Sequence, residues 1–401
     1  MHPSPAPAPS ASPSADVSGR ITVLDGSPYA ARVNRLREDL RSADLDALLV
    51  THLPNVRYLT GLAGTAGAVV VTATRCVLIA DFRYGAAARE LIATRPSGSL
   101  ELVVPQRGYD EAIALVLLTA GVNRIGVEAA SLSVSRFNWL TARLASGGQA
   151  EEASPFGTLS LLPTERLVEA RRAIKDAAEI AILREAAHRL SLMARQIPPV
   201  VRPGRSERAI AGDIDAAIRA AGFERPAFET IVASGPNSAH PHARPGDRVV
   251  ADGDSVVLDF GGVYDGYCVD LTRTLLVGAA APALVRIRGA VKEAHAAAIA
   301  AVRPGARPSE IDGAARQVLS RHGLGEAFGH GTGHGLGLEV HEEPRIATLP
   351  SALPDAAVVP GMVFTIEPGA YVEGIGGVRI EDDVLVVEGG CDVLTDVPID
   401  I

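Results

Sequence analysis

The stretch VVLDFGGVYDGYCVDLTRTLLV, residues 256–277, holds two apolar, β-branched and aromatic runs separated by Asp265-Gly266. Asp-Gly between such runs is the strongest short-range signal for a β-hairpin closed by a two-residue turn. With these two residues as the loop, facing positions have numbers that sum to 531, so Asp259 lies opposite Thr272 and Asp270 opposite Gly261. The two aspartates then share one face as diagonal neighbours, about 7–8 Å apart at the backbone. Gly261, on the same face, leaves space beside them. A slip of one residue would put the acids on opposite faces. The pairing therefore decides whether two carboxylates can converge.

Further donors lie downstream. HGTGHGLGLEVHEEP, residues 330–344, carries three of the ten histidines in the chain. His330 and His334 have the spacing of a helical zinc motif. However, Gly331, Gly333, Gly335 and Gly337 would each cost a helix about 1 kcal/mol relative to alanine. An extended backbone with room for close approach is expected instead. VFTIEPG places Glu367 just before a Pro-Gly turn, and GVRIEDDVLVV places Glu381 inside an apolar strand, where an unpartnered acid would be costly. Four carboxylates and one imidazole, from His334, form a mostly oxygen donor set that suits Mn²⁺, Co²⁺ or Zn²⁺ rather than a thiolate zinc site. That is more carboxylate than one divalent ion needs, so two ions are expected, as in hydrolytic sites that activate water.

The rest of the chain sets limits. It has 401 residues, 47% of them hydrophobic, which is comfortable for two domains. Its 38 basic and 47 acidic residues give a net charge near −9, which argues against nucleic acid as a partner. Cys76, Cys268 and Cys391 are odd in number and widely spaced, which fits a reducing, cytoplasmic location; Cys268 is read as packing. No apolar run reaches the roughly 18–20 residues that span a bilayer. Residues 1–20, rich in Pro, Ala and Ser, read as a disordered tail without the features of a signal peptide.

Residues 21–160 alternate short strands (45–50, 67–71, 76–80, 100–105 and 124–128) with helical segments, an α/β pattern. Asp176 and Glu179 form a capping box that opens a long helix stopped by Pro198-Pro199. In residues 161–401, VRPGRSERAIAGDIDAAIRAAGF from Val201 and VRPGARPSEIDGAARQVLSRHGL from Val302 read as an internal duplication of two facing α+β halves.

Five stretches carry a resemblance: SGPNSAHPH (234–242), DFGGVYDGYCVDLTRT (259–274), HGTGHGLGLEVHEEP (330–344), FTIEPGAY (364–371) and VRIEDD (378–383). In order and spacing they resemble the pita-bread metallopeptidases, which include methionine aminopeptidase, aminopeptidase P and prolidase. NVRYLTGLAG (55–64) and ADFRY (80–84) look like the creatinase-type domain that precedes the catalytic one in aminopeptidase P and prolidase. Creatinase itself shares both domains but lacks the metal-binding acids. The fold implied is an α+β pita-bread catalytic domain preceded by an α/β creatinase-like domain.

The resemblance implies that Asp259, Asp270, His334, Glu367 and Glu381 bind two divalent metal ions, manganese first, with cobalt or zinc as alternatives. It makes Asp270 and Glu381 the candidates to bridge them. It assigns His242 a substrate contact and a part in catalysis, His341 the oxyanion of the tetrahedral intermediate, and Glu367 the transfer of a proton. His330, Tyr371 and Arg379 match positions around the substrate proline, and His240 is left as a bystander. Val269 departs from the small polar residue often found before the second aspartate. The substrate implied is a peptide or dipeptide with proline second, and the assembly a homodimer. Chain length and the HGTGHG form favour a dipeptidase, with an Xaa-Pro aminopeptidase as the alternative and an inactive binding module as a distant one.

Overall fold

A computed structural model describes residues 28–96, 98–145, 159–348 and 355–400; the expected tail at 1–20 lies outside them. The first part runs α1 (Pro28–Ser42), β1 (Ala47–Val50), α2 (Leu53–Thr60), β2 (Ala68–Thr72), β3 (Cys76–Ile79), α3 (Gly85–Ala93), β4 (Glu101–Val103), α4 (Tyr109–Thr119), β5 (Arg124–Glu128), α5 (Val134–Ala145) and β6 (Ser160–Thr164). Its strands form one mixed sheet in the order β4-β3-β2-β1-β5-β6. Leu48, Val50, Val69 and Val71 pack on one face of this sheet, and Ala47, Leu49, Val70 and Val77 on the other. Burial on both faces explains why these strands read as unbroken apolar runs.

Three elements were not expected from the sequence. α2 is a single short helix with proline in its first turn and Gly61 at φ 72° past its end, and it occupies much of NVRYLTGLAG. α5 buries only Leu140 and Leu144. β6 is an edge strand containing Pro163, pairing with β5 alone. Proline at an edge costs no ladder bond that a neighbour needs.

The second part begins with α6 (Glu169–Arg172) and α7 (Ala177–Ala194), whose start carries the Asp176/Glu179 capping box. It continues with α8 (Glu207–Ala220), β7 (Arg225–Pro226), β8 (Ile231–Ser234), β9 (Ser255–Tyr264), β10 (Tyr267–Leu276), α9 (Pro282–Ala301), α10 (Pro308–Arg321) and β11 (Gly333–Gly335). The chain closes with β12 (Glu342–Ile346), β13 (Val363–Ile366), β14 (Gly369–Val372), β15 (Gly376–Arg379), β16 (Asp382–Val387) and β17 (Gly390–Val393).

Two cores match the two repeats. Leu183, Leu190, Ile210 and Ile214 of α7 and α8 pack on Val256, Leu258, Val269 and Leu271 of the β9–β10 hairpin. Val291, Ile311 and Val318 of α9 and α10 pack on Phe364, Ile366, Val378 and Val384. Each VRPG segment leads into the second helix of its pair. Full burial of a leucine, isoleucine or phenylalanine contributes about 1.5–3 kcal/mol, so each half has a substantial core of its own.

The hairpin turn is as the sequence requires. Asp265 and Gly266 both take positive φ, 43° and 76°, as a type I′ turn demands. Tyr267 pairs with Tyr264, Asp270 with Gly261 and Thr272 with Asp259. The space at Gly261 has a different use from the one expected. A Cβ there would collide with the Val269 carbonyl and lie 2.9 Å from the Phe228 ring, so the glycine admits backbone and an aromatic edge rather than a ligand.

Candidate active site

Asp259 and Asp270 project from one face of the β9–β10 ladder, and His334 sits in the middle of β11. Glu381 does not lie within a strand as its apolar surroundings suggested. β13 pairs with β16 through Ile366 and Asp382, and β14 pairs with β15 through Gly369 and Arg379. Glu367-Pro368 and Ile380-Glu381 are thus the facing breaks where one long hairpin leaves a five-stranded sheet and enters a two-stranded one. The freed amides bond elsewhere: Glu367 N–H donates to the Thr332 carbonyl at 2.7 Å and Glu381 N–H to the Thr272 carbonyl at 3.1 Å. Pro368 has no N–H to satisfy. A break at matching points on both arms turns two carboxylates toward the aspartates.

Asp270, His334 and Glu381 each offer a donor atom within 4.8 Å of the others. Glu367 stands beside them, its Oε1 3.6 Å from His334 Nε2. Asp259 is held at the edge of the group by Arg379, whose Nη2 donates to its Oδ2 at 2.6 Å. Burial, then the charges of Glu381 and Asp259, raises Asp270 well above the ordinary carboxylate range. Burial, then Glu367 and Asp259, does the same to Glu381. Such crowding of acids in a dry site is unfavourable without a cation.

His334 Nδ1 lies 3.1 Å from the Gly335 carbonyl, which can only accept, so the proton sits on Nδ1 and Nε2 keeps its lone pair. Burial lowers its pKa, keeping the ring neutral. An oriented neutral imidazole among hard carboxylates is a donor set that fits divalent metal.

The remaining expected residues surround this group. His330 Nδ1 faces the Gly331 carbonyl at 2.8 Å, which leaves its Nε2 to accept from the Tyr371 hydroxyl at 3.0 Å. That hydroxyl in turn accepts from Arg379 at 2.7 Å. Tyr371 therefore stands behind His330 and Arg379 rather than on the cleft wall. His341 packs edge-on against His334 with ring centroids 4.3 Å apart. Burial and the neighbouring His334 lower its pKa. His242 is exposed on the loop after a short 3₁₀ turn, Gly235–Ala239. His240 does not line the cleft. Cys268 is buried, and burial pushes its thiol up to about 12, as suits a packing residue.

A cleft of about 1120 Å³ runs over these groups and continues along His52, Glu128 and Arg166, between the two parts of the chain.

Two anchors behind the site were missed. Glu207, fully buried, accepts from Ser234 N and Oγ at 2.7 Å each, from Asn237 Nδ2 at 3.0 Å and from Gly246 N at 3.1 Å, pinning the loop that carries His242. Asp312, also buried, accepts from Thr332 N and Oγ1 and from Thr348 N and Oγ1, tying the start of the His330–His341 segment to the chain just past β12. The available signal was position. Glu207 shares a helical stripe with Ile210, Ile214 and Ile218, and Asp312 with Ala315 and Leu319. An acid on an apolar stripe needs buried donors. Glu207→Gln would set an amide donor against N–H donors, and hydrogen bonds to a charged group are worth about 1.5–3 kcal/mol. Urea unfolding should show a loss of that order; a loss under about 0.5 kcal/mol, typical of surface changes, would contradict the anchoring.

Among the described residues, no helix is long and apolar enough to cross a membrane. Residues 181–388 match the family described as metallopeptidase family M24, and residues 32–174 match the creatinase/prolidase N-terminal domain. The chain is 36% identical to the uncharacterized peptidase YqhT of Bacillus subtilis, over 92% of this chain and 98% of that protein. It is similar to the solved Xaa-Pro dipeptidase from Bacillus anthracis, with TM-score 0.85, 35% identity and coverage of 93% and 99%. The X-Pro aminopeptidase from Thermotoga maritima gives TM-score 0.79 and 30% identity over 91% of this chain and 99% of its own. With the two-domain match and the acid-rich cleft together, the chain belongs to metallopeptidase family M24, built as a creatinase-type N-terminal domain followed by a pita-bread catalytic domain.

Proposed function

We propose that this chain hydrolyses the bond between an N-terminal residue and proline, acting as a dipeptidase. The observation that carries the reading is the buried convergence of Asp270, His334 and Glu381, with Asp259 and Glu367 beside them. These five residues would hold two divalent ions, manganese first, with cobalt or zinc as alternatives. Such ions supply Lewis-acid polarisation of a carbonyl and lower the pKa of water. Asp270 and Glu381, the two acids of the tightest group, are the candidates to be shared between ions.

The side chains do the rest. His341, kept neutral, donates a hydrogen bond to the carbonyl oxygen as negative charge develops there. His242, from the opposite loop, offers a second contact to the substrate. Glu367 takes the proton released by the attacking water and passes it to the proline nitrogen as that bond breaks. The substrate's proline nitrogen has no N–H, so selectivity comes from shape. His330, fixed by Tyr371, and Arg379, fixed by Asp259, form the rigid wall for the ring.

The proposal extends to the arrangement of the chain: a creatinase-like domain over 21–160, a catalytic domain over 161–401, a homodimer, and a cytoplasmic location in keeping with three free cysteines. The similarity to the Thermotoga maritima X-Pro aminopeptidase, and a cleft larger than a dipeptide needs, favour the aminopeptidase as the second reading. Turnover of Ala-Pro and Ala-Pro-Ala by the manganese-loaded enzyme separates the two. A dipeptidase prefers Ala-Pro by tenfold or more in kcat/KM, about 1.4 kcal/mol in the transition state. The reverse preference replaces it with the aminopeptidase, and hydrolysis of neither rejects both.

A further inference from the structure

His341 lies on a segment, residues 336–341, that belongs to no helix or strand. Backbone bonds tie its start to the catalytic strands, Leu336 N–H to the Val363 carbonyl at 3.3 Å and Cys268 N–H to the Gly337 carbonyl at 2.6 Å, while the side chains flanking His341 are held from the domain joint. Arg172, at the end of α6 where the two domains join, has a side chain only 2% exposed. Its Nη2 donates to Glu339 Oε2 at 2.8 Å and also to Glu342 Oε2. Those carboxylates flank His341 at two residues before and one after. His52 Nε2, from the residue preceding α2, lies 3.0 Å from the same Glu339 oxygen, and Lys175 Nζ lies 3.0 Å from Glu342 Oε1. Gly337 makes the fit possible, because a Cβ there would strike the Glu342 carboxylate.

The other end of Arg172 is tied into the N-terminal domain. Its Nη1 donates to Asn55 Oδ1 at 2.7 Å, and Asn55 Nδ2 donates to Glu128 at 2.7 Å and Glu169 at 2.6 Å. Glu128 also accepts from the backbone N–H of Thr51 at 2.6 Å and of His52 at 2.8 Å. One continuous set of charge-assisted bonds thus runs from the first sheet to the His341 segment.

We infer that Arg172 is a positioning residue: by pairing with Glu339 and Glu342 it fixes His341 over the scissile carbonyl, and so makes the N-terminal domain part of the catalytic geometry. Burying a guanidinium between two carboxylates is not required for stability, since apolar packing serves a domain joint as well or better. The planar fork does what apolar packing cannot. It specifies the direction of two separate carboxylates at once.

The inference rests on His341 acting on the carbonyl oxygen, and the test separates the two. In the manganese-loaded enzyme, R172Q and E339Q are expected to lower kcat on Ala-Pro by about 10- to 100-fold, with KM within about twofold, because the His341 hydrogen bond they weaken forms only in the transition state. Amide hydrogen exchange in peptides covering 336–343 should speed up while the melting temperature changes little. In an H341A background neither substitution should lower the residual rate further, as expected when one residue acts through another. Equal losses in both backgrounds, a loss carried by KM, unchanged exchange, or unfolding of both variants would overturn the positioning role. Should H341A alone keep full kcat, the assignment of His341 falls instead, and the inference with it.

Discussion

Asp270→Asn abolishes Xaa-Pro hydrolysis and leaves the fold intact. Asp270 Oδ1 accepts the N–H of Leu271 at 2.8 Å, and the Asp270 N–H donates to Asp383 Oδ2 at 3.1 Å. An asparagine keeps both bonds, since its carbonyl oxygen still accepts and its backbone is unchanged. What it loses is a charge that four other acids, Glu381, Asp259, Asp383 and Glu367, oppose. Burial, Glu381 and Asp259 already hold the Asp270 carboxyl well above its ordinary pKa. The metal-free variant should therefore melt at or above the wild-type temperature. Its metal content per chain should fall, and the rate should drop beyond the roughly 10- to 100-fold typical of changes behind a metal's ligands. Wild-type turnover together with full metal content would remove Asp270 from the site.

How much of this could be read beforehand follows from how local each constraint is. The hairpin was legible because two residues with positive φ at 265–266 permit one register, and register fixes which face Asp259 and Asp270 share. The extended path through His334 was legible from its glycines. Gly333 and Gly335 sit where a Cβ would collide with the carbonyls of Thr365 and Glu343. Glu381 was placed near the site but in the wrong local structure, because strand alternation cannot show that an arm breaks between two sheets. Asp382, buried next to it, is held by Arg273 at 2.8 Å and Thr395 at 2.6 Å, so consecutive residues are buried where alternation expects one face in water. The Arg172–Glu339 bond spans 167 positions, and no local pattern announces it. Contacts between domains depend on the docked surface, and only folded coordinates show that.

Removing metal makes the protein less stable as pH rises, and restoring metal reverses the trend. Burial and neighbouring acids raise the folded pKa of Asp270 and Glu381, and burial raises that of Glu367. Unfolded, these carboxyls return to about 4. In metal-free protein their protonated forms contribute stability that is fully present below that value and lost as pH climbs through the raised folded values. The imidazoles of His330, His334 and His341 have the opposite sign. Burial lowers their folded pKa, so their contribution is present above about 6.5 and lost only as pH falls through the lower folded values. Between pH 6.5 and pH 8.5 the imidazoles titrate only in the unfolded chain, which is common to the metal and chelator measurements, so the carboxylates are the site groups that change the difference between them. Metal takes the ionised ligands, so its affinity rises over the same interval as protons are released. At a free concentration 1,000 times Kd it stabilises by about 4 kcal/mol, worth roughly 8–16 °C in Tm at 2–4 °C per kcal/mol for a domain of this size. His52, which hydrogen-bonding to Glu339 raises, loses its contribution with rising pH whether or not metal is bound, so it cancels in the difference. The measurement is Tm with manganese minus Tm with chelator, taken at both pH values. A gap that widens toward pH 8.5 marks buried acids waiting for a cation. A gap that is flat or shrinks means that these carboxylates are satisfied without one.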